Sequence, residues 1–297
     1  MEWIIGEESD QVRLDRYLRK KYKEIPLSGI FKGIRSGAVR VNGKKREESY
    51  RLQKGDRISV PWKTAPQEKN EAGLRLSREE RKKIREGIFY EDEEILVFCK
   101  DAGMVMHKGS GHAYGLSEML KVYCGNPDFN FVNRIDKNTA GLVLGAKNLP
   151  AARLLARDIR NREIVKRYYI LVEGAMRETK FSLHGFLKKM PDRVSAVSEA
   201  EEGAKESQSD FTVLRKTKTH TLLSGELKSG RTHQLRVQLA NYGFPIMGDE
   251  KYGRKEKEGK KEEAPEMFLF SYYLRIPRLG LELVAPLPEG FLRKLSR

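Results

Sequence analysis

Phe131-Val132-Asn133-Arg134-Ile135-Asp136-Lys137-Asn138-Thr139-Ala140-Gly141-Leu142-Val143-Leu144 is a polar turn that leads straight into an apolar run. The run reads as a buried strand over 141–146. A single carboxylate, Asp136, sits at its edge between Arg134 and Lys137, and nearby cations favour the ionised form. An ionised carboxylate fixed at the edge of a rigid element is what nucleophilic catalysis by aspartate requires. An aspartate in a turn can equally cap its own backbone through an Asx hydrogen bond. The segment alone leaves both readings open.

Outward from this stretch, strands are predicted over 95–99, 168–172, 211–214, 221–227 and 267–274, with helices over 149–161 and 232–241. That mixture argues for an α/β or α+β domain around a mostly antiparallel sheet. Two of these segments carry further chemistry. In Lys166-Arg167-Tyr168-Tyr169-Ile170-Leu171-Val172 the adjacent tyrosines point to opposite faces, so only one can line a given cleft. Such a ring can stack on a base and its hydroxyl can exchange a proton, or it can be a plain strand residue. In Leu227-Lys228-Ser229-Gly230-Arg231-Thr232-His233-Gln234-Leu235-Arg236 a strand ends, Ser-Gly turns the chain and a helix is expected from 231–232, burying Leu235 and Leu239. Free N–H groups at a helix start attract anions, and Arg231 adds a bidentate fork. Arg231 could grip a phosphate, hold the Asp136 carboxylate, or be a surface arginine.

The first part of the chain differs. Residues 12–62 form a compact unit of two short helices and a small hairpin sheet, with Leu14, Tyr17 and Leu18 and then Ile30, Phe31 and Ile34 at helical spacing. Val41-Asn42-Gly43 and Lys54-Gly55-Asp56 supply its turns. Residues 63–86 read as a charged linker with a helical turn near Ser77-Arg78-Glu79-Glu80, and after Gly87 the apolar runs resume to the end. The tract 255–265 reads as a solvated loop.

Lysine and arginine total 58 against 42 acidic residues, a formal net charge of +16, and so basic a balance points to a polyanionic partner. No apolar run approaches the ~18–20 residues that span a bilayer, and the start, MEWIIGEESD, is acidic rather than signal-like. Cys99 and Cys124 make no disulfide framework, and Cys99 reads as an inert core thiol. The histidines have no zinc spacing; His107 and His112 lack a third ligand. Gly109-Ser110-Gly111 has neither dinucleotide-fingerprint nor P-loop spacing, so no nucleotide cofactor is expected. A cytoplasmic, metal-free chain is the expectation.

The three chemical stretches, in this order, resemble the RluA family of pseudouridine synthases. The family's nucleophile motif, H-R-L-D-x-x-T-S-G-L, stands here as Asn133 to Leu142; its K-x-Y-x-A motif matches Lys166, Tyr168 and, with a change, Ile170. Its arginine motif, T-G-R-T-H-Q-I-R-V-H, matches Ser229 to Gln238, followed by Pro245-Ile246-Met247-Gly248-Asp249 and Tyr252-Gly253. Residues 12–62, marked by Arg13-Leu14-Asp15-Arg16-Tyr17-Leu18 and Val41-Asn42-Gly43, are similar to the alpha-L RNA-binding domain that often precedes this catalytic domain. Asn133, Ile135, Ala140, Ile170 and Gln238 depart from the usual residues, but the carboxylate, the tyrosine and both arginines are kept.

The resemblance implies an α+β fold: a mixed, mostly antiparallel sheet with flanking helices over 87–297, preceded by the small α/β RNA-binding domain. It implies isomerisation of uridine to pseudouridine in structured RNA, with large-subunit ribosomal RNA as the expected substrate and transfer RNA as the alternative. Reactant and product are isomers, so no cofactor or metal is implied, and the chain is expected to act as a monomer. By resemblance Asp136 attacks the nucleotide or assists glycosidic cleavage, Arg231 pairs with it, and Tyr168 stacks on the uracil. Arg134 would fill the space left by the flipped base. Arg13, Arg16, Arg35, Arg40 and Lys44 would hold RNA on the small domain. A different class, a non-catalytic ribosome-assembly factor, would be signalled by loss of Asp136 or Tyr168, and both are present.

Overall fold

The structure, a computed structural model, describes residues 1–22, 25–62, 74–108, 114–254 and 266–296. The Gly109-Ser110-Gly111 stretch, His112, the 255–265 tract and residues 63–73 of the expected linker lie outside the described residues. The chain divides into two compact units, Met1–Arg75 and Leu76–Arg297.

In the first unit, β1 (Glu2–Ile4), α1 (Leu14–Lys21), α2 (Leu27–Arg35), β2 (Arg40–Val41) and β3 (Arg57–Ser59) follow in order. The apolar stripe read from the sequence is its core: Leu14, Leu18, Ile30 and Ile34 are buried with Val41, Leu52 and Ile58. The sheet has the order β1-β3-β2, so residues ahead of position 12 belong to this unit, because β1 supplies an edge that β3 would otherwise leave open. Buried Asp56 closes the hairpin by accepting from Asn42 Nδ2 (2.7 Å), Tyr50 Oη (3.1 Å) and the Gln53 amide (2.9 Å). These bonds satisfy a carboxylate that burial would otherwise penalise.

The second unit opens with α3 (Arg78–Gly87), started by a reciprocal Ser77–Glu80 capping box and anchored by buried Ile84. After it come β4 (Ile88–Glu91), β5 (Ile95–Lys100), α4 (Leu116–Tyr123), β6 (Asn130–Phe131), β7 (Ala140–Ala146), α5 (Leu149–Arg160) and β8 (Val165–Glu173). Then β9 (Lys180–Lys189), β10 (Val194–Val197), β11 (Lys205–Lys216), β12 (His220–Leu227), α6 (Gln234–Asn241), β13 (Leu269–Ile276), β14 (Leu281–Val284) and α7 (Glu289–Leu295) complete it. The strands form one sheet in the order β10-β9-β11-β12-β8-β13-β7-β5-β4, with β14 on β13 and β6 on β7. Every pairing is antiparallel except β7 with β13, so the sheet is mixed and mostly antiparallel, in the α+β class expected.

β7 explains why the apolar run was so legible. Val143 packs into the cluster with Ile170, Leu235 and Leu239, while Leu142 and Leu144 pack with Leu155 of α5 on the other side. A strand covered on both faces reads as a continuous apolar run. Gly141, at φ +106°, brings β7 against β13: a Cβ there would lie 2.3 Å from the Ser271 carbonyl oxygen. This close approach anchors the chain immediately after the Asp136 turn.

Two differences from the expected elements have a common cause. The sequence gives no strand over 180–197 and only 211–214 for β11, yet β9 and β10 exist and β11 runs twelve residues. Much of β9 is exposed or half-buried, and the buried face of the first half of β11 is made by Ser207 and Ser209, so both lack an apolar signature; β11 is held by pairing with β9 over 205–212 and with β12 over 209–216.

Candidate active site

The Asp136 turn is closed by main chain, the Thr139 amide donating to the Asp136 carbonyl at 3.2 Å. Asn133 accepts from the Leu144 amide at 2.8 Å, fastening the turn to β7. The Asp136 side chain is thereby left for another use, which answers the capping alternative. Its Oδ2 accepts from a guanidinium nitrogen of Arg236 at 3.1 Å, and the side chain keeps 25% of its surface exposed.

Arg236 lies on α6 and is held from behind. Its Nε and second terminal nitrogen donate to both oxygens of Asp249, at 2.7 and 2.8 Å, and the Asp249 side chain is wholly buried. Burial opposes charge on both groups, but the bidentate bonds outweigh it: the Arg236 pKa is raised and that of Asp249 lowered. Asp249 also accepts from the Lys251 and Tyr252 amides, so its position is fixed by its own loop. His233 Nε2 stands 3.7 Å from Asp136 Oδ2, and its Nδ1 meets Tyr252 Oη at 2.8 Å. Burial pushes this imidazole below its ordinary value, although Asp136 pulls the other way.

A cleft of about 270 Å³ opens beside these groups, lined among others by Arg134, Asp136, Lys166, Tyr168, Arg231 and Arg236. It lies just below the range for drug-sized ligands and suits one nucleobase with its sugar. Tyr168 and Tyr169 do face opposite ways. Tyr168 is 5% exposed in the cleft wall, whereas Tyr169 stacks on Tyr272 with centroids 3.7 Å apart. Burial pushes the Tyr168 phenol up to about 12, the Ser271 hydrogen bond works against this, and the Asp136 charge adds to it. At neutral pH the hydroxyl keeps its proton. Thr139 Oγ1, also lining the cleft, is buried and without a hydrogen-bond partner among the described residues.

Lys100 braces the turn from below. Only 1% exposed, its ammonium donates to the carbonyls of Asp101 (2.8 Å), Met104 (3.1 Å) and Lys137 (2.9 Å), the last being the residue after Asp136. Burial lowers its pKa to about 8, with Asp101 and Asp136 pulling upward. Above the folded value and below the ordinary lysine value, the unfolded chain holds a proton that the folded chain has released. Stability contributed by Lys100 therefore rises with pH through that window. Lys100→Met is expected to lower unfolding free energy by about 2–3 kcal/mol at pH 7, since three buried carbonyls lose their donor. It should also slow turnover by loosening the Asp136 turn. Denaturant unfolding of both proteins at pH 7 and 9.5 checks this: the gap should widen at the higher pH, and a constant gap would contradict the titration.

The RNA pseudouridylate synthase profile matches residues 94–241, which contain Asp136, Tyr168, Arg231 and Arg236. The ribosomal large subunit pseudouridine synthase C of Escherichia coli (strain K12) is 31% identical over 306 residues, covering 99% of this chain and 95% of that one. The chain belongs to the RNA pseudouridylate synthase family. The enzyme of the same name from Buchnera aphidicola subsp. Baizongia pistaciae is 34% identical over 254 residues, 85% of this chain and 80% of its own. Human RNA pseudouridylate synthase domain containing 1 shares the fold, with a TM-score of 0.56 and 27% identity over 67% of this chain and 82% of that one. An S4 domain profile matches residues 12–58. As a pseudouridine synthase the chain is an isomerase acting on uridines of RNA.

Against that family background one expectation needs correcting. Arg231 does not pair with Asp136; its Nε donates to the Glu206 carbonyl at 2.9 Å and the residue is exposed at the cleft. Arg236 holds the carboxylate instead. The helix starts later than expected, at Gln234, because His233 takes a left-handed conformation (φ 53°) and Gln234 Oε1 binds back to Ser229 Oγ and the Arg231 amide. Arg231 therefore lies outside the helix, and Arg236 on its inner face. A signal existed: Arg236 sits between Leu235 and Val237 in a buried helix, a place tolerable for a charge only with a buried partner, and Asp249 lies in the next motif.

The other expected residues fall in two groups. Arg134 is exposed and lines the cleft. On the small unit Arg13 pairs with Asp15 at 2.9 Å and Arg35 with Glu48 at 2.9 Å, Arg40 donates to the Gly37 carbonyl at 3.2 Å, and Arg16 and Lys44 are exposed. Among the described residues no cluster of His, Cys, Asp and Glu could hold a metal ion, and no helix is long and apolar enough to cross a membrane.

Proposed function

We propose that this pseudouridine synthase modifies specific uridines of large-subunit ribosomal RNA in the cytoplasm, working as a monomer with Asp136 as its catalytic carboxylate. The observation that carries the assignment of Asp136 is its partly exposed side chain, held on Arg236 in a nucleotide-sized cleft whose wall includes Tyr168. In this reaction the bond from ribose C1′ to uracil N1 breaks, the base turns, and C1′ rejoins at C5. The proton leaving C5 is matched by one gained at N1. Asp136 supplies the negative charge at the nucleotide during cleavage, and Arg236 fixes its direction. Tyr168 packs on the turning ring, its neutral hydroxyl available to pass a proton. Arg134 takes the place of the extruded base, since a stacked uridine cannot reach an enclosed cleft. Arg231, free of the carboxylate, faces the RNA backbone.

The division of labour proposed is an RNA anchor in the first unit, centred on the expected 12–62 and joined by β1, and a catalytic domain in the second, which takes in α3 from the end of the expected 63–86 linker as well as 87–297. Arg13, Arg16, Arg35, Arg40 and Lys44 give the anchor its cations. The ribosomal target is supported by the names of the curated relatives, which act on the large subunit, and this favours it over transfer RNA. Mapping pseudouridines in ribosomal and transfer RNA from cells with and without the protein tests it. The expected result is loss at discrete large-subunit positions; loss confined to transfer RNA would overturn the ribosomal assignment.

The tyrosines supply a second check. Tyr168→Phe should slow turnover by roughly 10²-fold or more if the hydroxyl handles a proton. Tyr169→Phe keeps the ring that stacks on Tyr272 and should change turnover little. Single-turnover rates decide between them, and equal losses would mean that the cleft-facing hydroxyl has no part in the chemistry.

A further inference from the structure

Lys166 is a charged motif residue without a task so far. It stands two positions before Tyr168 on β8, so both side chains project from the same face of the sheet, and both line the cleft with Asp136. Among the described residues it has no hydrogen-bond or ion-pair partner, and the Asp136 carboxylate that might have served is already taken by Arg236. The side chain is half-buried in the cleft wall, and the loss of water around its ammonium alone lowers its pKa. A desolvated cation without a counter-ion is a cost to the folded protein unless something outside the chain answers it. Lys100 shows the contrast, being deeper but satisfied by three carbonyls.

We infer that Lys166 is a phosphate anchor, its ammonium binding a backbone phosphodiester at or next to the target uridine. Arg134 and Arg231 line the same cleft, so the surroundings favour an anion. Lysine suits the task as a compact point charge with three rotatable donors. The inference rests on the proposed role of the cleft, and it goes beyond it by giving Lys166 a ligand of stated chemistry. Lys166 contributes to ground-state binding of the RNA and leaves the step at Asp136 alone.

The test uses the full chain with in vitro transcribed large-subunit ribosomal RNA, comparing wild type, Lys166→Met, Lys166→Gln and Lys166→Arg. RNA affinity should fall about tenfold in the Met and Gln variants, as expected for one charge-assisted contact. The slope of log affinity against log salt should become shallower by about 0.7 to 1. Single-turnover rate at saturating RNA should stay within a few-fold of wild type, and Lys166→Arg should keep most of the affinity. Thermal stability of Lys166→Met should be unchanged or raised, because an uncompensated charge has been removed. Unchanged affinity and salt slope would overturn the anchor. So would a rate loss at saturation with affinity intact, which would make Lys166 part of the chemistry. A several-degree fall in Tm for both the Met and Gln variants would make it a structural residue. A wild-type protein that forms no pseudouridine on this RNA, yet binds it with the Lys166-dependent slope, would instead overturn the proposed ribosomal target and leave the anchor standing.

Discussion

Asp136→Asn should abolish pseudouridine formation, by on the order of 10⁴-fold or more, in a protein that still folds and binds RNA. Asparagine keeps the shape of the side chain, and its amide oxygen can still accept from Arg236. The turn does not depend on the carboxylate, since Thr139 closes it through the main chain and Asn133 fastens it to β7. Arg236 remains neutralised by the bidentate Asp249, so no buried cation is left unpaired. The substitution removes a charge at the nucleotide and little else. Single-turnover assays, RNA binding and Tm measured together separate the outcomes. Turnover near the wild-type rate would end the assignment of Asp136. Loss of folding along with activity would show that the carboxylate has a structural duty that its bonds do not reveal.

The parts of this site that the sequence made legible are those set by local periodicity. β7 announces itself because both of its faces are covered, and Asp136 stands out as the single carboxylate in the polar turn before it. Period-two alternation separates Tyr168 from Tyr169 without any knowledge of the fold. What stayed hidden depends on contacts distant in sequence. Arg236 and Asp136 are 100 residues apart, and motif order does not say which of two arginines five positions apart will reach the carboxylate. The answer turned on the left-handed His233 and on Gln234 binding back to Ser229, which delay the helix and turn Arg236 inward. Gln238 belongs to the same pattern. It departs from the family residue, yet it is buried and pins α6 to β11 by accepting from Ser209 Oγ at 2.8 Å. β9 and β10 were invisible for the opposite reason: their stability comes from pairing at the far edge of the sheet, and exposed alternation looks like loop.

Arg236→Met and Arg231→Met should separate sharply, and the pair tests which arginine serves the carboxylate. Removing Arg236 leaves Asp249 buried and unpaired, a defect that typically costs about 3–5 kcal/mol. Removing Arg231 takes away an exposed side chain bonded to one carbonyl, and such surface changes usually stay within about 0.5 kcal/mol. Stability alone would not prove a role in turnover, so a double variant is needed. Arg236→Met with Asp249→Asn removes the orphaned charge while keeping an oxygen for the Lys251 and Tyr252 amides. Much of the lost stability should return. Turnover should not, because Asp136 still lacks the guanidinium that fixes its direction, and losing one such preorganised donor costs on the order of 10²–10³-fold. Arg231→Met, by contrast, should bind RNA more weakly and turn over at close to the normal rate once saturated. Urea unfolding and single-turnover rates for the four proteins give the answer. If the double variant recovers activity together with stability, Arg236 is only the partner that Asp249 needs. If Arg231→Met fails at saturating RNA while Arg236→Met turns over normally, the pairing seen in the structure is not the one that the reaction uses.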